Sequence, residues 1–193
     1  MNFTNKKITG KFIELKSITM EDIPLIHLIY QDEKTTEQAK YYYKISIDKI
    51  SDIYRKRIES SKEGCNIDLL IRKKSNQKVV GTCTLKEIDF KSMSGEFGIM
   101  VHHKFWGSRV VIECFFRCFD FFYETLKLTK IKTAAFTTNK RSLALMQHLD
   151  IPLHSIKKDV MVLEGEHKDD ACYVITIEQW PKIKDYLKKL LYS

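Results

Sequence analysis

The stretch Gly95-Glu-Phe-Gly-Ile-Met-Val-His-His-Lys-Phe-Trp-Gly-Ser-Arg109, running straight into the apolar segment Val110 to Leu126, decides how this chain is read. Its opening residues, Gly95 to Val101, have the apolar and β-branched character of a strand. Gly107 marks a turn, because glycine accepts the backbone angles a sharp bend requires. Beyond it the segment is apolar on nearly all sides, except that Arg109, Glu113, Arg117, Asp120 and Glu124 recur every three to four residues. That spacing predicts a helix with one narrow charged stripe and the rest of its surface buried against a sheet. Ile131 to Thr137 reads as a strand again, so the helix is a crossover between two strands that can be parallel.

Outward from this unit, Phe12 to Ile18 alternates apolar and polar residues as a half-buried strand does, and Thr19 to Asp22 reads as a helix start, with the helix reaching about Tyr30. Ile47 to Ile58 has the spacing of an amphipathic helix that ends near Lys62 to Gly64. Ile67 to Arg72 and Val79 to Ile88 join Gly95 to Val101 as antiparallel strands. Downstream, Asn139 to Leu149 is a short helix with Asn139 as N-cap and Leu143, Met146 and Leu149 facing inward. Val160 to Glu164 and Ala171 to Ile177 flank a turn-like Gly165 to Asp170 and predict a hairpin. A last helix, with Pro181 near its start, puts Trp180, Ile183, Leu187 and Leu190 on one face. The fold class is α/β (α+β): a mixed, mostly antiparallel twisted sheet of six to seven strands flanked by helices.

At 193 residues, 44% hydrophobic and 30% charged, the chain can bury one core, and one domain over residues 1–193 is expected. Met1 to Gly10 is polar and carries no signal-peptide pattern, and Val110 to Tyr123 is too short and too charged for the ~20 residues of a membrane span. A cytoplasmic protein without a membrane partner is expected. Five cysteines, an odd number, fit buried reduced thiols, and Cys114 and Cys118, one helical turn apart, lack companions at zinc-finger spacing, so no metal is expected. His102 and His103, read as strand neighbours, point to opposite faces, an arrangement that does not easily chelate one ion and fits structural or solvated histidines. The net charge of +8 attracts anionic partners and repels a polyamine, while no recognised nucleic-acid motif accompanies it.

The segment 95–109 with its apolar helix resembles the acetyl-coenzyme A binding region of the Gcn5-related N-acetyltransferase (GNAT) superfamily. It looks most like the ribosomal-protein alanine acetyltransferase-like branch, in which a Trp-Gly pair opens the helix. Thr137-Thr-Asn-Lys-Arg-Ser142 and the Leu-Met-Gln-His-Leu after it resemble that branch's second signature, an Asn-x-x-Ser at the next helix. The resemblance implies a GNAT-type sheet splayed at its parallel pair, acetyl-CoA as donor, and a primary amine as acceptor, either a protein amino terminus or a small molecule such as a nucleotide-linked amino sugar. A homodimer is a further implication.

A helix N-terminus offers unpaired N–H groups and partial positive charge, both suited to a diphosphate. Lys104, Phe105, Trp106, Gly107, Ser108, Arg109 and Val110 are therefore the candidate diphosphate turn. The family's geometry implies that the pantetheine arm runs along the strand at Ile99, Met100 and Val101, with Asn139 binding it as well. Arg109 stands where the family has a small residue, and the predicted stripe directs it outward. Glu96 is the resemblance-based base and Ser142 the proton donor near sulfur, because the Tyr of many relatives is replaced by Met146. The bland alternatives are a surface carboxylate for Glu96, a cap for Asn139 and a helix-start hydroxyl for Ser142. Tyr41 to Tyr43 are candidate acceptor-pocket or packing aromatics. Arg109 and Met146 together motivate the alternative of a coenzyme- or partner-binding module without catalysis.

Overall fold

The structure is a computed structural model that describes residues 1–37, 39, 44–163 and 165–192; the aromatic run Tyr41 to Tyr43 lies outside the described residues. Its strands are β1 (Lys7–Thr9), β2 (Ile13–Ser17), β3 (Ile67–Lys73), β4 (Val79–Asp89), β5 (Ser94–Val101), β6 (Lys130–Phe136), β7 (Leu153–Leu163) and β8 (Glu166–Thr176). The helices are α1 (Ile23–Tyr30), α2 (Glu33–Thr36), α3 (Ile47–Glu63), α4 (Arg109–Asp120), α5 (Lys140–His148) and α6 (Trp180–Tyr192). One sheet runs β1-β2-β3-β4-β5-β6-β8-β7, and its neighbours are antiparallel except for β5 and β6. The crossover predicted from the sequence is that parallel pair.

Two apolar layers hold the sheet. The larger contains Leu15, Leu69, Leu85, Phe97, Phe115, Phe119, Ile131, Ile175 and Leu187, and joins the sheet to α4 and α6. Phe97 meets Phe115 edge-on at 5.1 Å, a geometry that aligns ring edge with ring face. The smaller layer, Ile26, Ile29, Ile50, Tyr54 and Leu70 among others, lies beneath α1 and α3. Gly64 closes α3 with φ +83°, where a side chain would be strained.

The sheet has eight strands rather than six to seven. β1 is three residues long and too short to register as a pattern. β7 begins at Leu153 and lies on the outer edge, exposed from Leu153 to Val160, so burial imposes no alternation on it. Residues 166–170, read as part of a turn, belong to β8, and the bend is confined to the region of Gly165. In α6 the inward position after Leu187 is Leu191, fully buried, while Leu190 is 38% exposed.

The charged stripe of α4 is also interrupted. Glu113 is completely buried, and its carboxylate accepts the backbone N–H groups of Lys11, Phe12 and Ile13 at 2.5, 2.7 and 2.9 Å. Gly10 leaves room for it: a Cβ there would come within 2.5 Å of the carboxyl carbon. The helix thereby satisfies donors of the loop before β2, an arrangement that no local spacing signals.

Candidate active site at the forked strands

β5 and β6 are in register only at Ser94↔Lys130, Gly95↔Ile131 and Glu96↔Lys132. Beyond Glu96 they diverge, leaving a fork. The His102 amide donates to Val80 on the β4 side, so alternation turns the Ile99 amide and carbonyl into the fork with no strand opposite. Val101 shares that orientation, but its carbonyl already accepts the Trp106 indole N–H at 2.8 Å. Ile99 is half-buried against the larger core and so offers backbone rather than side chain, whereas Met100 packs against the smaller core and, in register with Thr82, turns its backbone to β4.

At the wide end of the fork, β5 passes through a short turn into α4. Gly107 has φ +67°, and a Cβ built on it meets nothing within 4 Å. Part of the turn is satisfied internally: Trp106 donates to His103, Ser108 to Phe105, and the Val110 amide to the Ser108 hydroxyl. That hydroxyl donates in turn to Phe105, so Ser108 serves as the N-cap. Among the described residues, the amides of Gly107 and Arg109 remain without a partner. Two free N–H groups, open space and an exposed Lys104 at the start of a twelve-residue helix suit a diphosphate. Arg109 is exposed and lies 5.6 Å over the Phe12 ring. Phe105 packs at the margin of the larger core and Val110 inside it.

The other arm of the fork ends at α5. Asn139 caps this helix by accepting the Ser142 amide at 3.2 Å, whereas the Ser142 hydroxyl is half-buried and makes no hydrogen bond among the described residues. Met146 is 4% exposed, within the larger core. Glu96 is ion-paired with Lys86 at 2.8 Å across β4 and β5. A cleft of about 430 Å³, lined by Arg57, Asp68, Thr84 and Lys86 among others, lies between α3 and the sheet, and is distinct from the Gly107 turn.

Three groupings escaped the sequence. Arg141 sits 3.6 Å above the Trp106 ring and pairs with Glu37, so it bridges the two arms of the fork. Its neighbours are remote in sequence, although it lies inside the quoted Asn-x-x-Ser stretch. His102 and His103 follow β5 rather than lying within it; their rings stack at 4.6 Å, and His103 Nδ1 donates to Asp32 at 2.8 Å. Cys83 of β4 joins Cys114 and Cys118 in the core, 3.6 Å from Cys118, and burial pushes the Cys114 thiol well up. Of the other cysteines, Cys65 is exposed and Cys172 only half-covered, so the expectation of five buried thiols fails for these two.

Asp32 links α2 to the turn after β5. Partial desolvation raises its carboxyl, but hydrogen bonds from Thr35 and His103 outweigh this and hold it at about 2 instead of 3.8. A lowered folded-state pKa stabilises above the unfolded value and loses that effect as pH falls through the folded one. Asp32→Asn is therefore expected to lower the urea midpoint above pH 4, with the gap to the parent shrinking towards pH 2; a gap independent of pH contradicts this.

A family model described as acetyltransferase (GNAT) domain matches residues 13–151. An uncharacterized N-acetyltransferase p20 from Bacillus licheniformis is 21% identical over 153 residues, 79% of this chain and 86% of that protein. RimJ from Mycobacterium smegmatis, solved in complex with CoA-disulfide, superposes with a TM-score of 0.79 at 15% identity over 92% of this chain and 88% of its own. Spermidine N-acetyltransferase from Vibrio cholerae, in complex with CoA and spermine, gives 0.77 at 17% over 89% and 99%. At these identities the two structures speak for the fold. Among the described residues no helix is long and apolar enough to cross a membrane.

Proposed function

We infer that this chain, which belongs to the acetyltransferase (GNAT) domain family, is an N-acetyltransferase that draws on acetyl-CoA and serves a primary amine. The observation that carries the donor assignment is the turn at Gly107: a left-handed glycine with open space, two unpartnered amides and a helix N-terminus behind them, at the mouth of a strand fork. Gly107, Arg109 and Lys104 would hold the diphosphate through backbone amides and charge, and the Ile99 backbone would align the pantetheine arm. Bound acetyl-CoA supplies the acetyl group as a thioester, which an uncharged amine attacks. Asn139 fixes the start of α5, and Ser142 presents a free hydroxyl beside the fork, suited to giving a proton to the departing sulfur.

The acceptor is taken to be a protein amino terminus or a small amine such as a nucleotide-linked amino sugar. The likeness to RimJ supports placement in the ribosomal-protein alanine acetyltransferase-like branch, and a homodimer is the assembly proposed with it. Calorimetric titration with acetyl-CoA, followed by thiol release with a panel of amines, tests the function; a chain that binds no acetyl-CoA is not this enzyme. Ser142→Ala is expected to lower kcat roughly 10- to 100-fold with little change in acetyl-CoA affinity. Full turnover in that variant reduces Ser142 to a helix-start residue.

A further inference from the structure

We propose that Asp170 of β8 is the carboxylate that receives the acceptor's ammonium group and takes its proton, with the floor between Gly98 and Ala134 as the place where the amine lies. This rests on the acetyl-transfer assignment above. The two faces of the sheet differ in what they bury. Phe97 on β5, Ile131 on β6, and Ala171, Tyr173 and Ile175 on β8 are buried with α4 and α6. Strand alternation sends Glu96, Gly98, Lys132, Ala134 and Asp170 to the opposite face. There the fork opens between a residue with no side chain and one with a single methyl, and Ala134 is exposed although it lies in a central strand. A shallow floor results, with Glu96 near its apex and Asp170, in register with Phe136, near its wide end.

The two acids differ in their partners. Glu96 is held by Lys86 at 2.8 Å. Asp170 is only partly exposed, yet its carboxylate makes no hydrogen bond or ion pair among the described residues. A half-buried carboxylate without a partner is costly, and a cation supplied from outside removes that cost. The charges that act on it are Glu96 of β5, Lys157 of β7 and Lys86 of β4. Partial burial, and then Glu96, raise the Asp170 carboxyl, against the opposing pull of Lys157 and Lys86. Of the two acids, Glu96 is held by Lys86, and Asp170 is the one left open to an incoming ammonium.

The proton balance is simple. One proton passes from the ammonium to Asp170 and then to solvent. The nitrogen–carbon bond forms as the carbon–sulfur bond breaks, and a second amine proton goes to the sulfur.

The test uses the full chain with acetyl-CoA and three amines: spermidine, an alanine-initiated peptide and glucosamine. Asp170→Asn is expected to bind acetyl-CoA as the parent does by calorimetry, to lose about 100-fold or more in kcat/KM, and to lose the acidic limb of its pH profile. Asp170→Glu should restore part of the rate and keep that limb. The assignment is overturned if Asp170→Asn stays within threefold of the parent with an unchanged profile, or if the parent binds acetyl-CoA and acetylates none of the three amines. Absence of acetyl-CoA binding by the parent would instead sink the donor assignment itself.

Discussion

Gly107→Asp is expected to weaken acetyl-CoA binding by two to three orders of magnitude while leaving the protein folded. A Cβ at this position meets nothing within 4 Å, so the side chain has room in the free protein. The backbone angle of +67° adds roughly 1–2 kcal/mol of strain for an L-residue, less for Asp than for most. That strain is present with and without ligand, so it lowers stability rather than affinity. Affinity falls because a carboxylate would share the open space with a diphosphate: two like charges about 5 Å apart at an effective dielectric near 20 repel by about 3 kcal/mol. At 1.4 kcal/mol per tenfold, this is a loss of roughly 150-fold, and the second charge of the diphosphate adds to it. Gly107→Ala serves as the control, with similar strain, no charge and a much smaller loss. Titration of both variants, with melting curves alongside, separates the effects. Equal affinity of Gly107→Asp and the parent would refute the placement of the diphosphate at this turn.

Glu113→Ala is expected to destabilise the fold by roughly 3–5 kcal/mol, since it removes a buried charge that accepts three backbone amides. Hydrogen bonds to a charged group contribute about 1.5–3 kcal/mol each, and donors left in the core cost a comparable amount unless water enters. Against a total stability of about 5–15 kcal/mol, this is a large fraction. Glu113→Gln should rescue only part of the loss, because its carbonyl oxygen can still accept the Phe12 and Ile13 amides while its amide nitrogen would face the Lys11 donor. Gly10→Ala should give a smaller version of the same loss by pushing the carboxylate aside. Urea unfolding at constant m-value measures all three. A loss below 1 kcal/mol for Glu113→Ala would mean that the three amides find other partners.

The consequences also differ between the two variants. Glu113 lies on α4, one turn beyond the Arg109 amide, and anchors that helix to the loop before β2. A helix freed at this point presents its N-terminus less rigidly, so Glu113→Ala should lose some acetyl-CoA affinity as well as stability. Gly107→Asp should lose affinity with little loss of stability.

Residues 95–109 and the apolar segment behind them announce their structure locally. A strand, a glycine turn and a helix each depend on neighbours within a few positions, and their order implies a parallel crossover. The caps at Asn139 and Gly64 are legible for the same reason. Burial that alternates every second residue marks β2, whereas β7, on the edge and facing water, carries no such mark. Which functional groups meet is another matter. Asp170 and Glu96 are 74 positions apart in the chain and share a face only because β8 lies beside β6. Arg141 reaches Trp106 only because β5 and β6 separate, and Cys83 joins Cys114 and Cys118 only because α4 lies across β4. Side-chain spacing reports which way a residue points on its own element. Packing alone reports what stands opposite, and so the sequence by itself determined the turn that suits a diphosphate, while the tertiary structure decided that of Glu96 and Asp170 it is Asp170 that lacks a partner among the described residues.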